Sequence, residues 1–274
     1  MIKCIIHSAD IHLRLFQRFE EYQEQLDKFV TMCADITSEH DPSEVRIVIA
    51  GDLFHNKNNI SPEQITLASS FIRRLQDIAK TIVISGNHDL VVNNAARMDA
   101  MTSLFETSQF DNAFFFDSIL NYEGGVIEDD NVTWVLYSIF DDYKLPDIES
   151  AIKENPDNTV IGLYHGSVVG ATLNNGTVMD SGLSKDAFKG CDIVMAGHIH
   201  KRQEMKCGDA IVLYPGSLIQ QDFGETVTQH GFAVWDVEKK EYRIVDIQSN
   251  YNLYKFKIKS IEDIENDKET LVNY

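Results

Sequence analysis

Short apolar runs alternate with amphipathic stretches through the first two-thirds of the chain, a pattern that predicts an α/β protein with helices covering sheet faces. Runs that include Ile5-Ile6, Val45 to Ala50, Ile82 to Ile84, Ile161 to Tyr164 and Val194 to Ala196 read as strands. Phe19, Tyr22, Leu26, Phe29, Cys33 and Ile36 recur at helical spacing, which predicts a helix over 17–38 with those six as its buried stripe. Ser61, Pro62 and Gln64 form a capping-box signature for a second helix over 61–77, continuing through Ile65, Leu67, Ala68, Phe71, Ile72 and Leu75. A third, shorter helix is expected over 95–106. Beyond about residue 205 the signal turns to strands at 210–214, 232–237, 242–247 and 253–258. In the last of these Lys255, Lys257 and Lys259 alternate with Phe256 and Ile258, as on a half-buried strand with one solvated basic face.

Composition narrows this picture. With 274 residues, 43% of them hydrophobic, the chain can bury one large core, and a disordered or disulfide-scaffold protein is excluded. No apolar run approaches the roughly 20 residues of a membrane span, and the N-terminus reads as a first strand rather than an export signal. Cys4, Cys33, Cys191 and Cys207 make no Cys-x-x-Cys pair and are expected as reduced, packed thiols in a cytoplasmic protein. The formal net charge of −19 repels nucleic acid and anionic lipid at long range, so phosphate chemistry needs a local cationic focus.

Such a focus is suggested by where the strands end. Five runs lead into metal-ligand residue types: Asp10-Ile11-His12, Gly51-Asp52, Gly86-Asn87-His88-Asp89, His165, and Gly197-His198-Ile199-His200. In α/β sheets the carboxyl ends of strands converge on one crevice, so side chains placed there after tight turns meet. Taken singly, His7 reads as a packed strand residue and a lone His-x-His carries little weight. As an ordered set the five are a strong signal. The mixture of carboxylate, imidazole and amide without cysteine suits Mn²⁺, Fe²⁺ or a similar ion rather than structural zinc.

The five ordered motifs resemble those of the calcineurin-like metallophosphoesterase superfamily over about residues 10 to 200. Gly51-Asp52-Leu53-Phe54-His55, Tyr214-Pro215-Gly216-Ser217 and Phe223-Gly224-Glu225 are similar to the SbcD-type branch, relatives of the meiotic-recombination-eleven nuclease found in bacteria and phages. Leu-Phe-His after Asp52 departs from the Val-Asp-Arg-Gly of phosphoprotein phosphatases. The resemblance implies a four-layer sandwich of two mixed β-sheets flanked by helices. It implies one metal held by Asp10, His12, Asp52 and His200, and a second by Asp52, Asn87, His165 and His198, with Mn²⁺ the family's ion. His88 is assigned to the phosphate or the leaving oxygen, and His55 to positioning the substrate. Asp89 either fixes the tautomer of His88 or caps a turn.

For function the resemblance implies a two-metal DNA exonuclease and endonuclease of double-strand-break repair or recombination, cytoplasmic and nucleoid-associated. A separate SbcC-type ATPase is the implied partner, because only Arg14, Arg18, Lys57, Lys201 and Arg202 lie near the motifs to meet DNA phosphates. The alternatives are a small-molecule phosphodiesterase or phosphatase, and a non-catalytic scaffold, which the presence of His88 disfavours. A homodimer is expected through Leu67, Phe71, Met98, Met101, Leu104 and Phe105, unless these face the core. Residues 1–249 are expected to form the nuclease domain, and 250–274 the start of a capping domain or C-terminal extension.

Overall fold

A computed structural model of the chain describes residues 1–14, 18–91, 97–140 and 144–255. The first half alternates strand and helix: β1 (Cys4–Ser8), α1 (Phe19–Thr37), β2 (Val45–Ala50), α2 (Pro62–Gln76), β3 (Lys80–Ile84), α3 (Ala100–Ser108) and β4 (Ala113–Phe115). There follow α4 (Phe116–Ile119), β5 (Gly125–Asp129), β6 (Val132–Tyr137), α5 (Ile148–Glu154), β7 (Thr159–His165) and β8 (Ile193–Gly197). The remainder is β9 (Gln203–Cys207), β10 (Ala210–Tyr214), β11 (Gly231–Asp236) and β12 (Glu241–Asp246).

The strands form two six-stranded sheets, ordered β12-β11-β1-β2-β3-β4 and β5-β6-β7-β8-β10-β9. Both are mixed: β1 to β4 run parallel, while β11 joins β1 antiparallel; β6, β7, β8 and β10 run parallel, with antiparallel β5 and β9 at the edges. Side-chain alternation sorts the core. Cys4, Ile6, Ile47 and Ile49 pack under α1 to α3, whereas Ile5, Val48 and Ala50 meet Ile161, Leu163, Ile193 and Met195 between the sheets. On the far side Val160, Tyr164, Val194 and Ala196 pack with Ile148 of α5 and with Phe188. Helices, sheet, sheet and helix therefore make the four layers.

The capping box of α2 is present, with Ser61 accepting from the Gln64 amide and the Gln64 side chain accepting from the Ser61 amide. In α1, five of the six predicted stripe residues are buried, but Phe19 is 40% exposed. The helix starts at Phe19 after Arg18 in the left-handed region (φ 58°), so Phe19 stands at its very end. There Glu21, paired with Arg18, occupies the inward position instead. Helix α3 begins at Ala100 under an Asp99 cap, later than the predicted start, part of which lies outside the described residues.

The predicted strand over 253–258 is not seen in its described part. Leu253 exchanges hydrogen bonds with the side chain of Gln220 rather than with another strand, and 256–258 lie outside the described residues. Of the six positions considered for a two-fold contact, Phe71, Met101 and Leu104 are core, which leaves Leu67, Met98 and Phe105. All four cysteines are free and buried. No helix among the described residues is long and apolar enough to cross a membrane.

Candidate metal centre

The site lies where β1, β2, β3, β7 and β8 end. The segments after β1 and β2 continue side by side, the amides of Asp10, His12 and Leu13 donating to the carbonyls of Gly51, Asp52 and Leu53. Asp10, His12 and Asp52 take φ of 54°, 53° and 54°, and His198 takes 96°, left-handed conformations in which Asp and His occur more often than most residues. Gly51 sits in the same region (φ 87°), where a Cβ would also come 2.2 Å from His165 Nδ1. Gly86 is needed for space alone, since its Cβ would fall 2.0 Å from Asp52 Oδ1.

All seven residues proposed as metal ligands face one another. His12 Nε2 lies 3.0 Å from His200 Nε2, 3.4 Å from Asp52 Oδ2 and 4.0 Å from Asp10 Oδ1. On the other side of Asp52, the same Oδ2 is 3.3 Å from His165 Nε2, which places this carboxylate between the two groups. Asn87 Oδ1 is 2.8 Å from His198 Nδ1. The remaining carboxylate oxygens are held by backbone: Asp10 accepts from the His198 amide and Asp52 Oδ1 from the His88 amide.

Three features fit divalent cations to this donor set. His165 gives its Nδ1 proton to the Ala50 carbonyl at 2.8 Å, so the buried Nε2 presents a lone pair towards the Asp52 carboxylate and has no hydrogen-bond partner among the described residues. His200 gives its Nδ1 proton to Glu225 Oε1 at 2.6 Å, which leaves an Nε2 lone pair aimed at His12. A lone pair facing a carboxylate oxygen, as His165 Nε2 faces Asp52, needs a positive charge between them. The third feature is that His165 Nε2 faces carboxylates that favour a positive charge there, whether proton or cation. Burial alone would lower His165, yet the carboxylates of Asp52 and Asp10 raise it to about 10. Burial meanwhile pushes Asp10 up to about 6, drives His12 well below its ordinary value and takes His198 down to about 4.

His55 and His88 flank the His12 side, their rings stacked with centroids 5.4 Å apart. His88 Nδ1 donates to the His55 carbonyl at 2.7 Å, so Nε2 is the atom left for chemistry. That carbonyl, not Asp89, sets the tautomer of His88. Asp89 is instead a buried organiser of two loops, accepting from the amides of Leu53, Phe54 and Gly86. Arg14 donates from Nη1 to His55 Nε2 at 3.0 Å, which puts the His55 proton on Nδ1. Burial and the Arg14 charge hold His55 down at about 4, hence neutral.

Glu225 is the participant whose role sequence reasoning missed. Besides His200 it accepts from Ser217 Oγ (3.0 Å) and the Gln221 amide (2.9 Å). A carboxylate behind an imidazole ligand is the usual second support of a metal site. The signal was the Phe223-Gly224-Glu225 similarity, without a spacing that links it to His200. Of the basic residues considered for DNA, Arg14 contacts His55 and Gln221, Arg18 pairs with Glu21, Lys57 bonds the Asn87 carbonyl, and Arg202 pairs with Asp246.

Comparison with known proteins agrees with this geometry. The chain is 35% identical over 266 residues to the uncharacterized protein R555 of Acanthamoeba polyphaga mimivirus, covering 94% of this chain and 19% of that protein. It thus spans about a fifth of that relative's length. It is 28% identical over 277 residues to the SbcD component of the SbcCD nuclease of Staphylococcus saprophyticus, covering 88% of this chain and 67% of that protein. To a putative phosphoesterase, 244L, of Invertebrate iridescent virus 6 it is 24% identical over 205 residues, covering 74% and 67%. The model of the calcineurin-like phosphoesterase family matches residues 5–202, a span that runs from β1 through His200. Because that span holds every strand end from which the seven converging side chains come, the chain belongs to the calcineurin-like phosphoesterase family, whose members are metal-dependent phosphoester hydrolases.

Proposed function

We propose that the chain is a two-metal, Mn²⁺-dependent DNA nuclease, with Asp10, His12, Asp52 and His200 around one ion and Asp52, Asn87, His165 and His198 around the other. The observation that carries this reading is Asp52 Oδ2, 3.4 Å from His12 and 3.3 Å from His165, a single oxygen set between two donor groups. Two bound ions would supply a deprotonated water and neutralise the phosphate oxygens, chemistry suited to phosphodiester hydrolysis.

The chain's own groups complete the step. Neutral His55, its tautomer set by Arg14, assists in positioning the substrate through the His88 ring that it stacks against. His88, oriented by the His55 carbonyl, meets the phosphate or the leaving oxygen at Nε2. Likeness to the SbcCD nuclease component and Leu-Phe-His after Asp52 support DNA as substrate. The net charge of −19 and the internal pairing of Arg14, Arg18 and Arg202 support weak DNA binding by the chain alone, with a separate SbcC-type ATPase supplying the grip.

Incubation with Mn²⁺ and linear duplex or single-stranded DNA tests this. The expected result is cleavage that is lost with chelator. Intact DNA alongside rapid hydrolysis of bis(p-nitrophenyl) phosphate would refute it in favour of a small-molecule phosphodiesterase, the second reading that the acidic surface favours. Pairing of two copies would have to rest on Met98, 66% exposed, beside the partly buried Leu67 and Phe105, and sedimentation at micromolar concentration decides it.

A further inference from the structure

Beside the metal centre a cavity of about 380 Å³ opens onto Asn87, His165 and His198. Its walls are carbon: Tyr137, Tyr164, Leu145 and Leu183 line it, and Lys144 is its one cationic lining residue among the described residues. The hydroxyl of Tyr137 donates to the Ala187 carbonyl at 3.0 Å and that of Tyr164 to the Ser167 carbonyl at 3.1 Å, so both phenols offer ring rather than polar tip. Ser138 is likewise committed, donating to the Tyr122 carbonyl at 2.7 Å. A chamber with this volume, mostly apolar walls and few polar groups is a small-molecule site, for which about 300–1,000 Å³ is usual.

Asn87, His165 and His198 belong both to this lining and to the candidate metal centre, so a substrate held there by its phosphate would extend into the cavity. Building on the nuclease reading above, we propose that this cavity receives one nucleobase of the substrate, the one belonging to the nucleotide on the Asn87–His198 side of the scissile phosphate. A planar ring with an apolar face fits aromatic and leucine walls, and Lys144 adds a positive charge to an otherwise acidic chain. Because the hydroxyls of Tyr137, Tyr164 and Ser138 are already bonded elsewhere, these walls stack the base without reading its hydrogen-bonding edge. All bases are therefore accepted.

Isothermal titration of the Mn²⁺-loaded full chain with thymidine 5′-monophosphate and with deoxyribose 5-phosphate isolates the base. Thymidine monophosphate is expected to bind about tenfold or more tightly, with adenosine and thymidine nucleotides within a few-fold of each other. Leu183→Trp fills the chamber and should bring the ratio near one. Leu145→Trp does so from the rim, at a residue 49% exposed where folding is not at stake, with circular dichroism as the check. A ratio near one in the parent protein, or a ratio that survives both substitutions, overturns the proposal. If the parent then still cleaves DNA with Mn²⁺, the pocket alone is wrong; if it leaves DNA intact, the nuclease reading falls with it.

Discussion

Glu225→Ala separates a positioning carboxylate from a merely structural one. The side chain is buried, 2.6 Å from His200 Nδ1, and it also accepts from Ser217 Oγ and the Gln221 amide. Removing it frees His200 to rotate or to place its proton on Nε2, where it can no longer ligate. Loss of such a support typically costs about 10- to 100-fold in metal affinity, or roughly 1.4–2.7 kcal/mol. The orphaned Gln221 amide adds about 1–3 kcal/mol of lost folding stability. Glu225→Gln keeps an acceptor for His200 and should retain most of the affinity. Equilibrium dialysis against Mn²⁺, with thermal unfolding of the metal-free proteins alongside, reads the two effects apart. If the alanine protein folds and binds Mn²⁺ as the parent does, the positioning argument is wrong.

His88→Asn should lower phosphodiester turnover by roughly 10²- to 10⁴-fold while Mn²⁺ binding stays, because His88 is not placed among the ligands; a parallel fall in metal affinity would contradict its assignment. Gly86→Ala drives a methyl to 2.0 Å from Asp52 Oδ1 and should abolish Mn²⁺ binding, at a stability cost of about 1–3 kcal/mol, seen by titration and thermal melt. Asp129 bonds both Arg46 (2.7 Å) and Lys80 (2.9 Å), joining β5 of one sheet to β2 and β3 of the other. Burial would raise its carboxyl, yet those two cations hold it at about 2. Its contribution is therefore full above the ordinary carboxylate range and is lost as pH falls through about 2. Asp129→Asn should cost up to roughly 3 kcal/mol at neutral pH, since Arg46 is only 6% exposed, and the difference from the parent should vanish in acid-denaturation curves near pH 2.

Much of this architecture could be read from periodicity. Strand runs and the stripe of α1 declare themselves because burial on one or both faces leaves a regular trace, and Ser61-Pro62-x-Gln64 announces α2 through backbone chemistry local to four residues. The converging residues were legible for a related reason: each sits just beyond a strand end, and strand ends in this topology share one edge. Other features depend on contacts that periodicity does not encode. Phe19 continues the helical spacing, but it is the first residue of the helix and stays 40% exposed. Glu225 reaches His200 across a loop, and the three amides around Asp89 come from two separate turns. At Leu253 a side-chain amide from Gln220 satisfies backbone groups that an alternating pattern assigns to a neighbouring strand.

The division of the converging side chains has a consequence for the protein's lifetime. Asp10, Asp52 and Asn87 leave one sheet, whereas His165, His198 and His200 leave the other. An ion gripping both sets would rivet the halves together, so resistance to heat and to proteases should climb with the logarithm of the free divalent metal once the sites begin to fill. Starved of that element, the molecule would part first along this seam, and cellular metal supply would govern how long each copy survives as well as how fast it turns over.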